Sequence, residues 1–167
     1  MLIANKLGAL AVLAGDLSRA AGGDLSPTAV AILLTLHHRG PMTASELAVI
    51  AGITQPTAVR VTNGLVAHGL VRRSDRVGKT APIHLTRAGA REARSLQKAR
   101  LIALQRLVTP LADEERTELE GLLDKMLAGA TGSRRFARTT CRLCDHALCN
   151  GPACPIGTRA TEIEARG

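Results

Sequence analysis

Apolar and polar positions alternate along this chain mainly at helical spacing. Leu10, Leu13 and Leu17 recur on one face of a first stretch, and the pattern predicts an amphipathic helix over about 3–20, broken at Gly22-Gly23. Ser26-Pro27 supplies an N-cap and a first-turn proline for a second helix. Its Ala31, Leu34 and His38 can share one face, and Val30, Leu33 and Leu36 another, before Gly40-Pro41 ends it. A long helix is expected over 87–108, capped by Thr86 and broken by Pro110. A last one is expected over 113–127, with Leu119, Leu122, Leu123 and Met126 as its apolar stripe.

Between these lies the most structured stretch, TASELAVIAGITQPTAVRVTNGLVAHGLVRR, from Thr43 to Arg73. Thr43 and Glu46 have the spacing of a capping box, in which the hydroxyl accepts from one orphan N–H and the carboxylate from the other. Gly52 supplies the left-handed residue that stops a short helix. Thr54 caps the next, and Pro56 is tolerated in its first turn. Ala58, Val61 and Leu65 fall on its buried side, which leaves Gln55, Thr57, Arg60 and Asn63 on other faces. Gly69 ends that helix, and Leu70-Val71-Arg72-Arg73 begins a basic strand. Asp75 to Lys79 would form a tip turning at Gly78, with Ile83-His84-Leu85 as the return strand. Two short helices around a tight turn, followed by a basic hairpin, make a helix-turn-helix with a wing. That arrangement offers its second helix to the major groove of double-stranded DNA.

The motif is similar to the MarR family of winged-helix transcription regulators. The residues that carry the resemblance are Glu46-Leu47-Ala48, Thr54-Gln55-Pro56-Thr57, Arg60, Leu65 and Gly69-Leu70-Val71, then Leu85-Thr86 after the wing. It extends over about 5–128 and is most specific over 43–90. The resemblance implies a mainly α (α+β) fold: a winged helix-turn-helix, a small β wing, and terminal helices that interleave with those of a second copy. It therefore implies a homodimer reading two half-sites of an inverted repeat. The residues expected at DNA are Thr54, Gln55, Pro56, Thr57, Arg60 and Asn63 on the recognition helix, with Arg72, Arg73, Arg76 and Lys79 on the wing. Val59 and Gly64 stand where the family usually has polar or basic residues, and Val77 and Lys79 where its wing has an acid and an arginine. Many members bind small phenolic acids between the DNA-binding and dimer regions. His37, His38 and Arg39 are polar residues near such a place, but the sequence identifies no effector.

Charge agrees with a polyanionic partner. The 167 residues carry a formal net charge of +8. Ten Lys/Arg and only two acids, Asp75 and Glu92, lie between Arg60 and Arg100. The core must be aliphatic, since the chain has one Phe and neither Trp nor Tyr. The apolar run Leu7 to Gly15 follows one lysine and meets Asp16 directly, which favours the amphipathic helix over a secretory signal. No run is long enough to span a membrane, and a cytoplasmic protein is expected.

After Ala128 the pattern changes. Residues 1–128 read as the winged-helix and dimerisation domain, and 129–167 as a linker followed by a cysteine-rich tail. All four cysteines, Cys141, Cys144, Cys149 and Cys154, fall in this tail at C-x2-C-x4-C-x4-C spacing. Four thiolates around one centre suit tetrahedral zinc, and the spacing resembles a zinc knuckle with Cys149 in place of its histidine. The Cys154-Pro155 pair equally resembles ferredoxin-type ligand runs, which hold iron–sulfur clusters. A metal-free thiol–disulfide switch is the third reading. Arg135, Arg138 and Arg142 would offset thiolate charge, and His146 is dispensable as a ligand, expected exposed or hydrogen-bonded behind the cysteines. Zinc would order the tail. A cluster would sense iron, oxygen or nitric oxide, and its loss would disorder the tail beside the dimer helices and alter half-site spacing.

These features favour a dimeric repressor responding to a metal or redox signal. A nonspecific architectural DNA binder and a C-x2-C thiol oxidoreductase are the alternatives. The second needs a helix start after a strand, which the tail lacks. No Ser/His/Asp arrangement, phosphate loop or paired-carboxylate site points to an enzyme.

Overall fold

The computed structural model describes residues 1–74 and 81–166. Its elements follow in the order α1 (Leu2–Ala20), α2 (Pro27–Arg39), α3 (Ala44–Ala51), α4 (Gln55–Ala67), β1 (Val71–Arg73), β2 (Ile83–Leu85), α5 (Arg87–Gln105), α6 (Asp113–Ala130), α7 (Arg134–Thr140) and α8 (Pro155–Glu164). Short 3₁₀ turns lie at Cys141–Leu143 and Gly151–Ala153. Among the described residues the chain is mainly helical, with one two-stranded antiparallel sheet.

The centre of the fold is α2. Amphipathic spacing predicts two separate faces, yet every residue from Ala29 to Leu36 is buried. The helix is enclosed by α3, α4, α5, β2 and the Cys141–Leu143 turn. Ile32, Leu33 and Leu34 are fully buried there, with Leu47, Leu65, Val71 and Ile83 around them. Ser26 accepts from the Ala29 N–H at 3.2 Å, and Pro27 occupies the first turn as expected.

The expected capping box of α3 is present. Glu46 Oε2 accepts from the Thr43 N–H at 2.8 Å, and Thr43 Oγ1 accepts from the Glu46 N–H at 3.3 Å. These bonds to Thr43 hold the Glu46 carboxyl below its ordinary pKa. Thr43→Ala removes one orphan-donor partner and is expected to cost about 1 kcal/mol, read as a lower urea midpoint at unchanged slope.

β1 and β2 pair through Val71↔Leu85, Arg72↔His84 and Arg73↔Ile83. Met42 adds a bridge on the other side of β2, exchanging backbone bonds with Ile83 at 2.8 and 3.2 Å. Thr86 then fastens the start of α5: its N–H donates to the Leu70 carbonyl at 3.0 Å and its hydroxyl to the Gly69 carbonyl at 2.7 Å.

Two helix ends differ from expectation. α5 stops at Gln105, short of Val108, because Pro110 disfavours helical backbone at the residue before it. The Val108 carbonyl, which also accepts from the Leu111 N–H, and the Thr109 carbonyl accept from the Arg116 guanidinium, both at 3.2 Å. α6 runs through Gly129 and Ala130, in the stretch expected as linker, and the buried Thr131 closes it with a 2.8 Å bond to the Leu127 carbonyl. α1 and α6 bury none of their residues. Leu7, Leu10 and Leu13 of α1 and Leu122, Leu123 and Met126 of α6 are left exposed. Among the described residues, no helix is long and apolar enough to cross a membrane.

Candidate nucleic-acid interface and thiol centre

The helix-turn-helix is built locally. Gly52 adopts φ 68°, the left-handed conformation that ends α3 with little steric penalty only when no Cβ is present. The Ile53 N–H returns to the Ala48 carbonyl at 3.0 Å, which closes the turn. Thr54 then caps α4: its hydroxyl accepts from the Thr57 N–H at 3.4 Å and lies 2.9 Å from the Thr57 hydroxyl.

Gln55, Pro56, Arg60 and Asn63 are exposed, and Thr57 is half-buried. The inner face is Ala58, Thr62 and Leu65, all buried, while Val61 is only half-buried. Sequence spacing missed Thr62 because it is polar. Its hydroxyl is satisfied within the helix by the Val59 carbonyl at 3.0 Å, which permits full burial.

Arg72 and Arg73 are exposed on β1. Arg73 Nη2 donates to Asn63 Oδ1 at 2.6 Å, tying the strand to α4. Asn63 thus fixes the wing against the helix, a role its spacing did not reveal. Val59 is half-buried and Gly64 is open, with nothing within 4 Å of a Cβ built there. The expected tip from Asp75 to Lys79, with Arg76, Val77, Gly78 and Lys79, lies outside the described residues.

The four cysteines are free thiols, with Cys141 buried and the others half-buried. They line one cavity of about 810 Å³ together with Arg39, Arg138 and His146. Local geometry sets each in place. Cys141 follows α7, which Ser133 caps by accepting from the Phe136 N–H at 3.1 Å. The Cys144 N–H closes the C-x2-C turn on the Cys141 carbonyl at 3.1 Å. Asp145 folds the next loop, accepting from the Ala147 N–H at its side chain and from the Cys149 N–H at its carbonyl, both at 2.9 Å. Gly151 turns the chain at φ 51°, and Cys154 Sγ caps α8 by accepting from the Gly157 N–H at 3.2 Å.

Cys149 Sγ donates to the Ala153 carbonyl at 3.7 Å, and Cys144 and Cys154 pack beside Cys141 in one small cluster. Among the described residues no three Cys, His, Asp or Glu side chains gather around one metal position. The four sulfurs are thus not gathered around an ion, but four thiols along one cavity are the donor set that a thiophilic metal or cluster would draw together. The neighbouring Cys141, aided by Arg100 and Arg39, lowers the Cys144 pKa to about 7, and Cys144 in turn raises that of Cys141. Burial and the neighbouring Cys154 push Cys149 up to about 12. His146 is half-buried and stacks on His38 at 4.9 Å between ring centroids.

The tail was expected at the far end of the dimer helices. Instead it packs on α2 and α3 of the winged core as well as on α6. Its anchors are residues that spacing did not single out. The Leu143 carbonyl accepts from Arg100 at 3.0 Å and from Gln97 at 3.4 Å, both on α5. A smaller cavity of about 290 Å³ lies between α1, α2 and α5, walled by Val30, Leu104 and Leu143 with Arg19 and Arg100.

Comparison with known proteins agrees with this geometry. Residues 23–79 match the MarR family model. None of the curated proteins matches. The fold is similar to that of MepR, a transcription regulator of the Staphylococcus aureus multidrug efflux pump MepA: 20% identity, 72% of this chain and 94% of that one, TM-score 0.62. It is similar to wild-type MarR of E. coli in its apo form, at 22% identity over 72% of this chain and 96% of that one, TM-score 0.60. It is also similar to a MarR-family transcriptional regulator of Silicibacter pomeroyi, at 26% identity over 80% of this chain and 90% of that one, TM-score 0.55. The family match falls on α2, α3, α4 and β1, the elements that present the exposed arginines, and the likeness to the solved structures is one of winged helix-turn-helix fold.

Proposed function

We propose that this chain is a sequence-specific DNA-binding transcription regulator: a cytoplasmic homodimeric repressor of inverted-repeat operators, responsive to a metal or redox signal through its four cysteines. The observation that supports it most is the outer face of α4, where Gln55, Pro56 and Arg60 stand exposed beside Arg72 and Arg73 of the wing strand. Gln55 offers an amide whose donor and acceptor match an adenine edge in the major groove. Arg60 lies one turn further along the same helix and can fork onto guanine or hold a phosphate. The Thr57 hydroxyl is shared with Thr54, which leaves its methyl for a thymine methyl. Arg72 and Arg73 meet the backbone or the minor groove and set register.

The dimer rests on a second observation. α1 and α6 expose leucines on helices that bury nothing in the single chain, and apolar surface of that kind calls for a partner. The cavity between α1, α2 and α5 is where a small effector would act, since filling it separates helices of the dimer arm from the core.

Selection from randomised duplexes tests the reading: a regulator enriches a short inverted repeat, and an architectural protein enriches none. On the enriched duplex, Arg60→Ala is expected to weaken binding about 10- to 100-fold and relax preference at one position per half-site. Arg72→Ala is expected to weaken all duplexes alike and to reduce the salt slope by about one per subunit. Equal losses on every sequence for Arg60→Ala would reduce that residue to a phosphate contact.

A further inference from the structure

The cysteine tail is fastened to the helix-turn-helix itself. α7 packs on α3, where Thr139 Oγ1 donates to the Val49 carbonyl at 3.3 Å. A Cβ at Gly52, the turn between α3 and α4, would stand 3.5 Å from the Thr139 methyl. At the other end of α7 the Cys141–Leu143 turn lies on α2, and Leu143 packs against the main core. α8 closes the box by packing on both α7 and α6.

Apart from its contacts with α3, α5, α6 and the main core, the box has a small core of its own. Its buried cluster is Ala137, Ile156 and Ala160 beside Cys141, Cys144 and Cys154. One isoleucine and two alanines cannot offset the conformational entropy of ordering two helices and the loop between them. The Arg134–Glu164 ion pair, at 2.7 Å, is largely exposed and adds little. Thiolate ligation can supply what is missing, because the binding energy of a structural metal becomes folding energy.

We propose that a metal centre held by Cys141, Cys144, Cys149 and Cys154 is the buckle that fastens α7 onto α3, so that its occupancy sets the DNA affinity of the helix-turn-helix. The coupling to DNA rests on α4 being the DNA-reading helix. The shared chemistry is ligation of a thiophilic metal by four thiolates, and the thiol protons leave to solvent as it binds. Arg39, Arg100 and Arg138 stand near the sulfurs and offset the resulting negative charge. With the centre filled, α7 and α8 close on one another and α7 braces α3. With it empty, the tail loosens, α3 loses its outer support and DNA is held less tightly.

The test uses the full chain purified without air. Iron, acid-labile sulfide and zinc are measured, and hydrogen exchange is followed in 134–164 and 44–53 before and after chelation. Binding to the selected duplex is measured on the same samples. Iron with matching sulfide identifies a cluster, and one zinc per chain without sulfide identifies a single ion; either supports the buckle. Chelation is expected to speed exchange about 100-fold in 134–164 and measurably in 44–53. It should weaken duplex binding about tenfold, with recovery when zinc, or iron and sulfide, is restored. A Cys141→Ser, Cys144→Ser, Cys149→Ser, Cys154→Ser variant should match the chelated protein. Thr139→Arg should keep its metal yet bind DNA like the chelated form, which separates the α7–α3 contact from ligation. Protein that holds neither metal overturns the proposal. So does a metal whose removal leaves 44–53 and duplex affinity unchanged. If no duplex is ever enriched but chelation still frees 44–53, the buckle stands and the DNA-reading assignment of α4 fails.

Discussion

Gly89→Ala is expected to destabilise the fold by about 3 kcal/mol or more, a large part of the 5–15 kcal/mol of a typical domain. Gly89 lies in the first turn of α5 and is buried against the wing. A Cβ there would stand 1.9 Å from the Leu70 carbonyl oxygen and 2.8 Å from its carbon. These are backbone atoms, so no side-chain rotation relieves the clash. Leu70 is also held by Thr86, whose N–H donates to the same carbonyl at 3.0 Å. Alanine must therefore push α5 off the start of β1 and break that anchor. Gly121→Ala is the control: Gly121 is exposed in α6 with nothing within 4 Å of a Cβ. It should stabilise by about 0.5–1 kcal/mol through helix propensity. Urea denaturation of both variants reads the two effects with opposite sign. An unchanged midpoint for Gly89→Ala would mean that α5 and β1 are not in contact as described.

The second large effect is expected at α1. Leu10→Glu with Leu13→Glu should convert the proposed dimer to a monomer and weaken binding to the selected duplex by at least about 100-fold, because each half-site would then be bound without the avidity of its partner. Leu10 and Leu13 are 46% and 47% exposed in the single chain, so the charges meet no intrachain core. Circular dichroism should stay near the parent spectrum while sedimentation reports half the mass. Retention of the parent mass would move the dimer contact away from this face of α1.

Much of the winged core was legible because its signals are local. Thr43 with Glu46, Gly52, Thr54 with Pro56, and Thr86 each act on orphan backbone groups within a few residues of themselves, and all hold the positions expected of them. The strand pair was legible for the same reason, since Val71 and Ile83 face the core at its two inner positions. What the pattern hid depends on distant chain. α2 reads as two-faced, but the Cys141–Leu143 turn covers a side that would otherwise meet solvent. α7 and α8 are short and carry few apolar residues. Their docking relies on side chains reaching remote backbone: Thr139 to Val49, and Arg100 to Leu143. No periodicity records a bond of that kind. The four spaced cysteines line one cavity, but their spacing gave no sign that the tail rests on α3.

That location changes the expected route of control. A tail trailing from the dimer helices would act on the distance between half-sites. On the proposal made above, a tail packed against Val49 and the Gly52 turn would act on the helix-turn-helix itself, while α8 keeps a second hold on α6. Both proposed routes end at the same helix, α4.

Hydroxyl-radical footprinting on the enriched duplex measures what α4 does most directly. Two protected patches in successive major grooves, related by a dyad and about 10 base pairs apart, with flanking minor-groove protection from the wings, are the predicted result. Arg60→Ala should fade both patches together. Continuous protection that lengthens with protein concentration and ignores sequence would contradict the account.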